Sequence, residues 1–142
     1  MLLFIQGCDD ITTEQDIWEV NPSFSYSNLE MVGSKNKLSI TDPKFIKNEQ
    51  TEHLLYFFDE VPSAGVKVVG ISKELNRIEP VLIENGDSVW EVGVQDDGRL
   101  FEVEDSFLPL TLSFPHEGVW RLDFFIDDRF ITHTVINVES RS

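Results

Sequence analysis

Gly118-Val119-Trp120-Arg121-Leu122-Asp123-Phe124-Phe125-Ile126, followed after Asp127-Asp128 by a return over residues 130–138, is the stretch that decides the fold. Trp120, Leu122, Phe124 and Ile126 alternate with Val119, Arg121, Asp123 and Phe125. Alternation with period two sets one face of a strand against a core and leaves the other mixed or wet. Asp127-Asp128 interrupts the apolar run and supplies a polar turn. On the return, Phe130, Thr132, Thr134, Ile136 and Val138 share one face, and Ile131, His133, Val135 and Asn137 the other. Both faces carry apolar side chains, so the pattern leaves open which one is buried. β-Branched and aromatic residues dominate both arms, as suits a pleated, half-buried surface. A lone hairpin is marginal in water, so this one must belong to a larger sheet.

Outward from the hairpin, the preceding residues 114–118 carry Pro115 and Gly118 and read as a turn. A Gly two residues ahead of a large aromatic resembles the corner before the penultimate strand of immunoglobulin-like sandwiches, where an aromatic plugs the gap between sheets. Further strand candidates are residues 17–20, 38–41, 66–71 and 107–112, with a weakly alternating stretch at 23–32. Residues 54–58 (LLYFF) form the longest apolar run of the folded part. They fit a central strand with one side in the core and the other shielded by a loop. Residues 78–83 contain Pro80 and fit an edge strand. Asn85-Gly86 is the strongest hairpin dipeptide, with residues 89–92 as its second arm. Residues 44–52 read as a polar loop with Phe45 and Ile46 tucked in, and 72–77 as a charged turn capped by Ser72. Strands at roughly 8–12-residue spacing with turn punctuation mark an all-β sandwich. The expected fold is an immunoglobulin-like antiparallel β-sandwich of about 7–9 strands over residues 23–140, with an extended N-terminal tether.

The chain has 142 residues, 41% of them apolar, enough for one domain with one core. Eleven basic residues against 26 acidic ones give a formal net charge of -15. Such a charge opposes binding to nucleic acid or to anionic lipid surfaces, and otherwise favours solubility. The single cysteine, Cys8, follows the apolar run Leu2-Leu3-Phe4-Ile5-Gln6-Gly7. This looks like the end of a lipoprotein signal peptide: a branched aliphatic residue at minus three, Gly at minus one, then Cys. On that reading residues 1–7 are a signal-peptide remnant, and residues 8–22 are a lipidated tether with a possible first strand. The alternative is a buried free thiol. A diacyl or triacyl cysteine would hold the protein on the extracellular face of the cell membrane, palmitate being a typical acyl chain. No stretch approaches the ~20 apolar residues needed to span a bilayer.

Chemistry-bearing residues are scattered. His53, His116 and His133 show no metal-ligand spacing, and no second cysteine completes a zinc site. Asp59-Glu60 and Asp127-Asp128 are adjacent acids whose side chains point apart in a strand or turn, and they read as solvated turn charges. Neither a nucleophile elbow nor a phosphate-cradling glycine loop occurs. Asp96, Asp97, Glu102, Glu104 and Asp105 in the acidic 96–105 loop are the candidate metal residues. A weak calcium or small-ligand site there is the alternative to a non-enzymatic interaction domain. A hydrolase would need His116 or His133 to meet a Ser and an acid in three dimensions. The expectation is no cofactor, no catalytic residue, and a partner that is an envelope protein or small ligand.

Taken together, the chain resembles a family of small Gram-positive lipoproteins carrying a domain of unknown function. The likeness rests on Cys8, on Trp18-x-x-x-Pro22-x-Phe24, on Met31-Val32-Gly33 with Lys37-Leu38, and on the aromatic run Tyr56-Phe57-Phe58. It continues through Lys67-Val68-Val69-Gly70, Pro115-x-x-Gly118-x-Trp120-x-Leu122, Asp127-Asp128 and the closing valine-rich strand. The resemblance implies an exported, lipid-anchored, immunoglobulin-like sandwich, and it brings no catalytic assignment.

Overall fold

The computed structural model describes residues 18–41, 44–94 and 106–140. Thirteen strands follow one another there: β1 (Ser23–Tyr26), β2 (Leu29–Gly33), β3 (Leu38–Thr41), β4 (Phe45–Ile46), β5 (Thr51–Phe57), β6 (Gly65–Ser72) and β7 (Arg77–Pro80). Then come β8 (Leu82–Glu84), β9 (Asp87–Val89), β10 (Glu91–Gly93), β11 (Ser106–Leu112), β12 (Gly118–Ile126) and β13 (Arg129–Glu139). Sheet A has the order β1-β2-β3-β5-β11-β8-β9, and sheet B the order β10-β6-β12-β13-β4, with β7 also on β6. All pairings are antiparallel except that of β13 with β4. This is the all-β, immunoglobulin-like sandwich expected; the count exceeds seven to nine because several ribbons are cut into short strands. Among the described residues no helix is long and apolar enough to cross a membrane.

Alternation in β12 is realised in full. Trp120, Leu122, Phe124 and Ile126 are buried, and the intervening side chains are half-buried. They meet Leu38 and Ile40 of β3, Leu55 and Phe57 of β5, Leu108, Leu110 and Leu112 of β11, and Val66 and Val68 of β6 in one core. Each such side chain contributes about 1.5–3 kcal/mol by leaving water. The aromatic corner is also present: Trp120 donates its indole N–H to the His116 carbonyl at 2.9 Å, and its ring meets Phe114 edge-on at 5.2 Å. Gly70 lies under that ring, and a Cβ there would come within 3.1 Å of Trp120 Cζ3 and 2.7 Å of Val81 Cγ1.

The return strand settles the question its pattern left open, and corrects the grouping of its faces. Phe124 pairs with Thr132, but Phe125 pairs with Phe130, so Ile131 is the extra residue of a β-bulge. A bulge shifts the side-chain phase by one. Thr134, Ile136 and Val138 therefore face the core, whereas beyond the bulge it is Ile131 that packs inward. Phe130 is 53% exposed and rests edge-on against Phe125.

Three hairpins turn on two residues with positive φ, the geometry that matches strand twist: Ser27-Asn28 (φ 54° and 68°), Asn85-Gly86 (55° and 85°) and Asp127-Asp128 (50° and 69°). The Asn85-Gly86 hairpin joins β8 to β9, as its sequence announces. Two other expectations are corrected. Residues 78–83 are not one edge strand: the chain crosses at buried Val81 from β7 in sheet B to β8 in sheet A. Residues 89–92 are likewise split at Trp90, where the chain returns to sheet B as β10. Residues 18–20 form no strand; instead Asn21 pairs with β13 through N–H to the Val135 carbonyl (2.9 Å) and its side-chain oxygen to the Val135 N–H (2.7 Å).

Candidate functional site

A groove of about 590 Å³ opens on sheet A, and its origin lies in how β3 leaves β5. Leu38, Ser39 and Ile40 pair with Phe57, Tyr56 and Leu55, and there the register ends. One residue on, side chains replace the ladder. Thr41 Oγ1 accepts the Leu54 N–H at 3.0 Å, and the Thr41 carbonyl accepts from His53 Nδ1 at 3.0 Å. His53 Nε2 in turn accepts from the Thr51 hydroxyl at 2.7 Å, and the ring stacks on Phe45 at 5.0 Å. Only 2% of His53 is exposed. Burial pulls its pKa below the ordinary 6.5, against the opposing hydrogen bond to the Thr41 carbonyl, so the imidazole is neutral at physiological pH.

The groove is walled by Leu29 and Glu30 of β2, the end of β3, Glu52, His53 and Leu54 of β5, and Pro109, Leu110 and Thr111 of β11. Pro109 sits opposite Leu54, and β11's far side is paired with β8 only at Leu112, so the missing N–H falls beside an open edge. Glu30 and Glu52 are exposed, and Glu30 Oε2 accepts the Ser23 hydroxyl at 2.9 Å. Among the described residues no lysine or arginine lines the groove. Beside it, on the same outer face, Tyr26 meets Tyr56 at 5.7 Å and Phe58 at 5.1 Å, and Tyr56 stacks on Phe107 at 5.4 Å. On the outer side of residues 54–58, where a loop was expected, the described residues that pack against Tyr56 and Phe58 are Tyr26 of β1 and Phe107 of β11. The groove is lined mainly by apolar side chains, with Glu30 and Glu52 exposed to solvent.

The other sequence candidates are not gathered here. His116 lies flat on Trp120 with Nε2 3.4 Å from Glu79, an acid that Arg77 also approaches at 3.8 Å. His133 stands opposite Asp123, whose carboxylate is held by Arg121 at 2.9 and 3.2 Å. Among the described residues no three His, Cys, Asp or Glu side chains converge as metal ligands. Cys8 and the acidic residues Asp96, Asp97, Glu102, Glu104 and Asp105 lie outside the described residues.

Asp127 is more than a solvated turn charge. Its carboxylate accepts the N–H groups of Ser63 (3.1 Å), Ala64 (2.7 Å) and Gly65 (3.1 Å) and the Ser63 hydroxyl (3.1 Å). Loss of water alone would raise its pKa; these four donors outweigh that and hold it at about 2. Glu60 likewise pairs with Arg129 at 2.6 Å. Both interactions pin the loop after β5 to the β12–β13 turn, a long-range role invisible in a dipeptide.

The groove residues escaped the sequence reading because they follow no motif. The one local signal was Glu52-His53, a polar pair set directly before the longest apolar run of the folded part.

The model of the domain of unknown function DUF4871 matches residues 10–136. The crystal structure of a candidate lipoprotein from Bacillus anthracis is similar over 90% of this chain and 91% of its own, with a TM-score of 0.75 and 25% identity. The crystal structure of the Lin-41 filamin domain aligns over 83% of this chain and 98% of its own, with a TM-score of 0.41 and 16% identity. No curated protein matches in sequence.

Proposed function

Because the chain belongs to the DUF4871 family, whose defining domain has no assigned function, we propose a role from its own residues: a lipid-anchored protein of the extracellular membrane face. Its β-sandwich is a non-enzymatic module that presents the groove of sheet A to a partner in the cell envelope. The observation that carries this reading is the placement of Cys8. The lone cysteine ends the run Leu2-Leu3-Phe4-Ile5-Gln6-Gly7 and precedes an acidic stretch that leads into the folded domain. The likeness to a candidate lipoprotein of Bacillus anthracis supports it. At ~0.8 kcal/mol per buried CH₂, two acyl chains on one cysteine hold a small domain at a bilayer where a single chain would not.

A binding role suits the groove better than catalysis. Both ring nitrogens of His53 are already engaged, and its pKa shift leaves it neutral and buried. Glu30 and Glu52 are exposed carboxylates on different strands. The test is expression of the chain and of Cys8→Ala in a Gram-positive host with an alkyne-tagged palmitate. The wild type should carry label and sediment with membranes, and the variant should lose both. Label and sedimentation that survive Cys8→Ala would refute the anchor.

A further inference from the structure

We propose that the open edge of β1 accepts an extended segment of another polypeptide as an added antiparallel strand, with apolar side chains of that segment at alternate positions beside Phe24 and Tyr26. This rests on the reading of the domain as a binding module. It sets a second contact beside the groove, whose wall residues Leu29 and Glu30 pair with Tyr26 and Ser25.

The hairpin that carries β1 defines the edge. Its two-residue turn, Ser27-Asn28, closes on the pair Tyr26–Leu29. The pair that closes such a turn exchanges both backbone hydrogen bonds, and such pairs alternate along an antiparallel ladder. Phe24–Met31 is therefore the next one, and Ser23 and Ser25 direct their N–H and C=O groups away from β2. Both serines are exposed, and β1 ends the order of sheet A. Among the described residues nothing pairs with these backbone groups. Ser23 Oγ is committed to Glu30 Oε2 at 2.9 Å and does not cap them.

What sets β1 apart is the absence of a guard. Sheet edges are ordinarily blunted by charge, proline, bulges or extreme shortness. β7 carries Arg77 and Glu79 and ends in Pro80. β9 and β10 have three residues each, with Asp87 and Glu91. The open side of β13 has Asn21 on its Val135 rung, and Lys37 Nζ lies 3.5 Å from the Ile131 carbonyl. β1 reads Ser-Phe-Ser-Tyr, holds neither charge nor proline, and keeps an unbroken register with β2. Its hairpin is also held in place: Tyr26 meets Tyr56 and Phe58 edge-on, and Met31, opposite Phe24, is fully buried. A partner strand meets a preformed edge and spends little on ordering it.

The occupant is a different polypeptide, not a second copy. Two copies would each bring a net charge of -15. Two four-residue strands side by side also fall well short of the ~1,200 Å² that a stable protein pair buries. Backbone pairing supplies the attachment. Phe24 and Tyr26, on one face of β1, select β-branched or aromatic residues at every second position of the partner.

The experiment titrates the isotope-labelled 142-residue chain with a blocked peptide, Lys-Val-Thr-Val-Thr-Val-Lys. Two matched peptides carry N-methyl groups on the threonines or on the valines. Saturable amide shifts and slowed hydrogen exchange are expected at Ser23 and Ser25. With the valines beside Phe24 and Tyr26, the threonine N–H groups face β1. N-methylation there should weaken binding by roughly 5-fold for each hydrogen bond lost, whereas N-methylation of the valines should leave it unchanged. Ser25→Pro removes an edge donor that β2 does not use and should weaken binding by roughly 5-fold or more; Ser25→Ala should bind as the wild type does. An unchanged spectrum away from β1 checks that each variant folds, and the N-methylated peptides test the pairing without any variant.

Equal affinity for the peptide methylated on threonine would overturn the proposal. So would the absence of saturable shifts, or shifts that map to the groove or to another edge. β1 signals that broaden with protein concentration before any peptide is added, and sharpen in Ser25→Pro, would overturn the assignment in favour of a second copy. A chain that is lipid-labelled and membrane-bound yet gives no saturable shift sinks this inference alone. Loss of the lipid anchor, with the titration intact, sinks the localisation alone.

Discussion

Replacing His53 tests whether side chains really take over from the β3–β5 ladder. His53→Ala removes two hydrogen bonds, one to the Thr41 carbonyl and one from the Thr51 hydroxyl. At about 1 kcal/mol each they account for ~2 kcal/mol, and the lost stacking on Phe45 adds about 0.5–1.5 kcal/mol. The expected loss is therefore roughly 3 kcal/mol, since the site is buried and solvent replaces the ring poorly. His53→Asn keeps a donor for the Thr41 carbonyl but neither the Thr51 bond nor the stacking, and should cost roughly 1.5–2.5 kcal/mol. The assay is urea unfolding across pH. Folding lowers the His53 pKa from 6.5, so its neutral form is favoured in the native state. The stability this preference protects is fully present above about 6.5. It is lost as pH falls from there through the lower folded value, with a slope of up to ~1.4 kcal/mol per pH unit. The other two histidines are the same in wild type and variant, so the difference between the two pH profiles isolates His53. A His53→Ala loss below about 1 kcal/mol, set against the bond energies above, would refute the reasoning. Identical pH profiles for wild type and His53→Asn would refute it as well.

Asp127→Ala should destabilise by roughly 1–2 kcal/mol after allowance for solvent screening, read by thermal unfolding at neutral pH. Its carboxylate is held at about 2, so its contribution is complete above 3.8 and disappears as pH falls to 2; the variant's acid unfolding should lack that component. Gly70→Ala would press a methyl group into Val81 and Trp120 and should cost about 1–3 kcal/mol, with a changed indole fluorescence. Thr134 is fully buried, and its hydroxyl has no hydrogen-bond partner among the described residues, so Thr134→Val should raise stability by about 1 kcal/mol in urea unfolding.

The parts of the fold that a sequence announces are those set by neighbours. Trp120 to Ile126 announce a half-buried strand because their alternation is local. Asn85-Gly86 announces a turn because both residues accept positive φ. What escapes is set by distant partners. The Ile131 bulge exists only in the pairing of β13 with β12, and it reverses the facing of Phe130. The crossings at Val81 and Trp90 depend on which sheet has an open edge for the next strand, a property of the assembled sandwich. The groove is of the same kind. Thr41, His53 and Glu30 come from three strands, and none signals a site to its neighbours in sequence. Asp127 was read as a turn residue and is one, but the four donors it gathers come from residues 63–65, more than sixty positions away. Cys8 is the opposite case, since its reading rests on the six residues just before it.

The account depends most on that cysteine being the lipid-bearing start of a tethered sandwich. Mass spectrometry of the N-terminal peptide from membrane-extracted protein tests it directly. The expected product begins at Cys8 and carries the added mass of two or three acyl chains. A peptide that retains Met1 and an unmodified Cys8 thiol would contradict it.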